Sequence, residues 1–143
     1  MTRIEQSALL PYSASQLFDL VNDIAAYPQY MDGCLGAEII ESSADKVTAR
    51  LELGKAGLRY AFTTCNTLIP AVKMDMALVE GPFKHFSATW MFQALNESAC
   101  KISLEMEFEF SAGLVDVALK RLFENTSRNL VNAVCKRAEF LYG

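Results

Sequence analysis

The chain has 143 residues, 52% of them apolar and 21% charged, which is enough to bury one sizeable core and argues against a disordered chain. Its formal charge of −4 sets the overall field against phosphate, so contact with nucleic acid would need a local basic patch, and no Lys/Arg run supplies one. Cys34, Cys65, Cys100 and Cys135 form no C-x-x-C pair, the N-terminus lacks a signal-type apolar stretch, and no apolar run reaches the roughly 18 residues of a membrane span; a single domain over residues 1–143, with reduced thiols in a bacterial cytoplasm, is expected.

In chain order, Arg3 to Leu10 reads as a first strand stopped by Pro11. Ser13 or Ser15 can cap a helix whose apolar residues Leu17, Phe18, Leu20 and Val21 fall at helical spacing. Asp23 caps a second short helical turn, predicted to end at Tyr27-Pro28 because a proline disfavours helical geometry in the residue before it. From Ala37 the pattern changes to period two. Val47, Ala49, Leu51 and Leu53 alternate with Thr48, Arg50 and Glu52, and Gly54 to Gly57 make a turn. Leu58, Tyr60 and Phe62 then share a face that continues through Thr64, Asn66 and Leu68 to the break at Pro70. Val72, Met74, Met76 and Leu78 follow at alternate positions before the turn Glu80-Gly81-Pro82. Phe86, Ala88, Trp90, Phe92 and Ala94 form the next apolar face, and after Asn96-Glu97-Ser98 the residues Ile102, Leu104, Met106, Phe108 and Phe110 form the last.

One wet face along every strand predicts an antiparallel meander covered on a single side. The cover is the final segment, in which Leu114, Val117, Ala118, Leu122, Val131, Val134, Ala138 and Leu141 recur at helical steps. A single helix from Leu114 to Tyr142 is predicted, roughly 43 Å long at 1.5 Å per residue. The fold class is therefore α+β: a helix-grip arrangement of a curved antiparallel sheet around a long C-terminal helix, with two short N-terminal helices.

Chemistry-bearing residues are few. His85 is the only histidine, so neither a two-histidine metal site nor a histidine-based nucleophilic site has a second member, and no G-x-S-x-G or phosphate-binding glycine loop is present. Glu105, Glu107 and Glu109 share the outer face of a strand, where hydrated carboxylates keep ordinary acidity and serve solubility. The chain reads as a binding protein and not as an enzyme. Inward Met74, Met76 and Met106 carry soft thioethers that either fill a plain core or adapt to an apolar ligand. With Tyr60, Phe62, Phe86, Trp90 and Phe108 on the strands and Leu122 on the helix, they are the candidate lining of an apolar cavity. Thr64 and Asn66 interrupt that face and need partners, either backbone or water or the polar head of a ligand. The turns around Tyr27-Pro28-Gln29-Tyr30-Met31 and Gly81-Pro82-Phe83-Lys84 are either plain turn chemistry, or the rim of a pocket mouth bearing Tyr27 and Phe83, or an exposed patch for a partner.

Tyr27-Pro28-Gln29-Tyr30 followed by Cys34, then Leu78-Val79-Glu80-Gly81-Pro82-Phe83-Lys84 and Trp90-Met91-Phe92, resembles the signature of the coenzyme-Q-binding START-like proteins, whose bacterial branch includes relatives of a ribosome association toxin. The resemblance covers essentially the whole chain and implies a START/Bet v 1-like helix-grip fold. It implies a cavity for ubiquinone or another polyprenyl or acyl lipid, supporting respiratory electron transport with no cofactor required. For the bacterial branch it implies an alternative role, binding the large ribosomal subunit and blocking subunit joining. The motif positions carried over are Tyr27, Pro28, Cys34, Glu80, Gly81, Pro82, Phe83, Lys84 and Trp90. Tyr30, Met31, Asp32 and Gly33 depart from the family loop, which carries a further proline and a large aromatic before the cysteine. An enzyme of the polyketide-cyclase type shares the architecture, but no interior acid-base pair is visible here. The partners expected are a hydrophobic small molecule and the large ribosomal subunit, with no direct DNA binding and at most transient membrane contact.

Overall fold

In the computed structural model, which describes residues 1–113 and 116–143, seven strands make one antiparallel sheet. They are β1 (Thr2–Leu10), β2 (Cys34–Ser42), β3 (Lys46–Lys55), β4 (Leu58–Ile69), β5 (Lys73–Glu80), β6 (Phe83–Asn96) and β7 (Ala99–Phe110). Their order in space is β1-β7-β6-β5-β4-β3-β2. Strands β2 to β7 therefore follow one another as hairpins, and β1 pairs with β7, as the alternation predicts. The β3–β4 hairpin turns on Ala56 and Gly57 at φ of 55° and 86°, the left-handed pair whose twist suits a two-residue loop. Register shifts at Thr63/Thr64 and Phe83/His85 mark bulges in the sheet. Such bulges bend a strand and strengthen its twist, and the second leaves both Phe83 and Phe86 buried.

One face of the sheet is covered by α1 (Ala14–Asn22), a 3-10 turn (Ile24–Gln29), α2 (Val117–Arg128) and α3 (Leu130–Tyr142). Ser13 is the cap of α1: its hydroxyl accepts from the Gln16 N–H while the Gln16 side chain accepts from the Ser13 N–H. The helix buries Leu17, Phe18 and Val21, and Phe18 meets Phe92 edge-on at 5.5 Å. Each such side chain removed from water contributes about 1.5–3 kcal/mol.

Two expectations about the helices are corrected. The 3-10 turn does not end before Pro28 but runs through it. The Tyr27 carbonyl accepts from the N–H groups of Tyr30 and Met31, so Pro28 occupies the first position of a new turn, where its missing N–H has no role. The C-terminal segment is not one helix but two, divided at Asn129 (φ −103°, ψ 1°). The Asn129 side chain donates to the Asn125 carbonyl at 2.8 Å, and its backbone N–H is shared between Asn125 and Thr126. An amide that competes for backbone carbonyls is a local reason for the break. Periodicity could not reveal it, because the buried series Phe123, Ser127, Val131, Val134 and Ala138 continues across the junction at helical steps. Leu114, the predicted start, lies outside the described residues; Asp116 caps α2 by accepting from the Ala118 N–H at 2.7 Å.

Candidate functional site

Between sheet and helices lies an aromatic core. Phe123 of α2 points into the concave face, with ring centroids 4.7 Å from Phe108, 5.1 Å from Phe83, 5.5 Å from Phe110 and 5.9 Å from Phe62. Beside this cluster remains a cavity of about 60 Å³, lined by Tyr27, Met76, Phe86, Trp90, Met106 and Leu130 among others. That volume has room for one or two waters, whereas sites for drug-sized ligands run to roughly 300–1,000 Å³. This space is therefore too small, as it stands, for a ligand of that size.

The residues expected to line a cavity separate into groups. Tyr27, Phe62, Met76, Phe86, Trp90 and Met106 do border the small interior space, as do Cys34 and Met31, whose place the strand pattern did not reveal. Tyr60, Thr64, Asn66, Met74, Phe83 and Phe108 are not on its lining. Thr64 and Asn66 point inward as predicted, and the Thr64 hydroxyl donates to Asn66 Oδ1 at 2.9 Å, so each is the other's partner. Phe83 is 6% exposed and stacked on Phe110 at 4.8 Å, in the core and not at a mouth. Tyr27 likewise is buried, its hydroxyl donating to the Val21 carbonyl, and burial holds its pKa well above the ordinary tyrosine value. Leu122 lies on the other side of α2, facing an outer groove.

The motif positions have structural places as well. Cys34 is buried with its thiol near the Gly36 carbonyl at 3.6 Å, and desolvation raises its pKa. At Gly81 a Cβ would stand 2.6 Å from the Cβ of Phe62, so only glycine lets the β5–β6 turn close over β4. The Pro82 carbonyl accepts from the Ser111 N–H at 2.9 Å. Pro28, Glu80 and Lys84 are exposed, Lys84 lying 3.9 Å from Glu109 on the outer face, where His85 and Arg3 flank Glu107.

The larger space is an open groove of about 1130 Å³ on the outside of α2 and α3, bounded by the Gln29–Asp32 loop and the β3–β4 turn. Its walls carry the cations Lys55, Arg121, Lys136 and Arg137 and the carboxylates Asp32 and Asp116. The Arg137 guanidinium lies 5.2 Å from the centre of the Tyr30 ring and 5.3 Å from that of Phe140, and donates to Gln29 Oε1 at 3.0 Å. Sequence periodicity could not assemble this site, because it joins a hairpin tip, a loop and two helices that are far apart in the chain.

A family model described as polyketide cyclase / dehydrase and lipid transport matches residues 10–135. The chain belongs to that family. Among curated relatives, the ribosome association toxin RatA of Vibrio cholerae is 43% identical over 143 residues, covering 100% of this chain and 99% of the relative. A more distant relative is the mitochondrial coenzyme Q-binding protein COQ10 homolog B of Xenopus laevis, 24% identical, with 99% of this chain aligned to 60% of that protein. Among solved structures, the Zhui aromatase/cyclase of Streptomyces sp. R1128 superposes with a TM-score of 0.82 at 23% identity, over 96% of this chain and 93% of that one, a likeness of fold. The helix-grip reading of the sequence and its resemblance to START-like proteins therefore hold.

As a member of the polyketide cyclase / dehydrase and lipid transport family, the chain offers a small apolar interior space and a larger groove beside it, which share Met31, Thr126 and Leu130; the groove's lining is mainly apolar, with charged and amide side chains along its walls. Among the described residues no group of three or more His, Cys, Asp or Glu converges to hold a metal ion, and no helix is long and apolar enough to cross a membrane. The Tyr30 and Tyr60 hydroxyls are buried without a hydrogen-bond partner among the described residues, and burial raises the pKa of both. A neutral phenol at neutral pH can donate a hydrogen bond but does not act as a base.

Proposed function

We propose that this chain is a ribosome-directed binding protein that acts in the cytoplasm, associating with the large subunit and hindering its union with the small one. The observation that carries the reading is the 43% identity, end to end, with a relative named a ribosome association toxin. The geometry agrees in one respect: an interior reduced to about 60 Å³ leaves the outer surface as the place where a partner of any size can be met. The test is a reconstitution. Purified large and small subunits are mixed with and without the protein and resolved on a sucrose gradient; the protein is expected to travel with the large subunit and to deplete the joined particle. Unchanged joined particles, with the protein left at the top of the gradient, would overturn the reading.

A second reading, lipid or ubiquinone carriage in support of respiration, keeps one specific observation in its favour. The residual cavity is lined by Met76, Met106, Trp90 and Phe86 and lies between α2 and the sheet, where displacement of Phe123 would enlarge it. Mass spectrometry of an organic extract of protein purified from its native host without detergent distinguishes the readings. A stoichiometric quinone supports carriage, and an empty extract from folded protein supports the first reading.

A further inference from the structure

We infer that the groove outside α2 and α3 is an RNA-docking surface, suited to a looped or single-stranded segment of ribosomal RNA; this rests on the ribosome-directed reading and names the face and partner chemistry for it. Three observations converge. Lys55, Arg121, Lys136 and Arg137 face one groove against only Asp32 and Asp116, although the whole chain carries −4. Among the described residues none of the four cations makes an ion pair, while the Asp116 carboxylate is engaged in capping α2. Arg137, Tyr30 and Phe140 then add planar groups to the same wall, and Phe140 is 77% exposed at its end.

Unpaired cations track phosphates, and the exposed Phe140 ring gives an unstacked base a surface to lie on, which is the combination single-stranded RNA requires. Asn125 and Asn132 line the same groove with amide groups able to hydrogen-bond base edges. On the outer sheet face, by contrast, Lys84 and Arg3 lie against Glu109 and Glu107, so the cations there are already partnered. An acidic protein surface would pair with the same cations, and binding to deproteinised RNA separates the two.

The experiment measures affinity for purified large subunits, and for their deproteinised RNA, across a salt series. Wild type is compared with Arg121→Glu/Lys136→Glu, both exposed positions, and with Phe140→Ala, each verified as folded by circular dichroism. The double reversal is expected to weaken both complexes roughly 10- to 100-fold at about 0.1 M salt and to flatten the log–log salt slope by about two, one per lost phosphate contact. Phe140→Ala is expected to cost about tenfold with the slope unchanged, as loss of a stacking partner would. If the subunit binds the folded double variant as tightly as wild type, the groove is not the docking face, while the ribosome reading survives. If wild type binds the subunit but not the deproteinised RNA, the partner is a ribosomal protein and the RNA assignment falls. If wild type does not bind the subunit at all, the proposed function itself fails, and this inference with it.

Discussion

Thr64 and Asn66 show how a buried polar pair can be tolerated in an apolar face. They are 2% and 1% exposed, and each would be costly alone, yet the hydroxyl of one is 2.9 Å from the amide oxygen of the other. That hydrogen bond offsets part of the desolvation, whereas removing one partner strands the other in a dry site. Thr64→Val is therefore expected to lower unfolding stability by about 1–3 kcal/mol in a urea titration, and Thr64→Val/Asn66→Leu to recover most of that loss. A single variant as stable as wild type would show that water reaches Asn66. The inward direction of both residues and their need for partners were legible in the period-two pattern. Their pairing with each other was not, since it depends on the rotamers of two short side chains and not on their spacing.

At the scale of elements, α2 decides whether the molecule has a cavity. Phe123 fills the concave face between Phe83, Phe108, Phe110 and Phe62, and its removal would leave a ring-sized void. Phe123→Ala is expected to cost about 3–5 kcal/mol, read as a lowered denaturation midpoint. It is also expected to let a short-chain quinone bind that the wild type excludes, measured by quenching of Trp90 fluorescence. Equal quinone binding by both proteins would mean that the interior opens unaided, and would restore the carrier reading. The strands and their faces were readable because a half-wet sheet writes its register into every second residue, as Ile102 to Phe110 does on β7. The break at Asn129 was hidden by the unbroken apolar series around it. Of the places left open for Phe83, the core is the one it takes, because the bulge at Phe83/His85 adds a residue that period two does not count. The groove was invisible for a different reason: Lys55 and Arg137 meet only through the tertiary fold.

For the whole molecule, the tyrosines connect packing to pH. Burial raises the pKa of Tyr27, Tyr30 and Tyr60, with no guanidinium or ammonium close enough to reverse it; at Tyr30 the lowering by Arg137 is the smaller effect. In the unfolded chain the same phenols ionise near pH 10. A group whose folded pKa is raised contributes stability that is complete below its unfolded pKa and is lost as pH rises through the folded one. Neutral and acidic conditions therefore leave this contribution intact, and the loss begins above about pH 10. If all three phenols stay protonated in the folded state, the stability falls by up to about 4 kcal/mol per pH unit there. Against a typical domain stability of about 5–15 kcal/mol, a few pH units at most exhaust it. Tyrosinate absorbance from these residues and the loss of circular dichroism are accordingly expected to rise together in one transition above pH 10. Absorbance that rises fully while the dichroism is still native would show that solvent reaches the three hydroxyls in the folded protein, and the closed interior would have to be replaced by one that breathes.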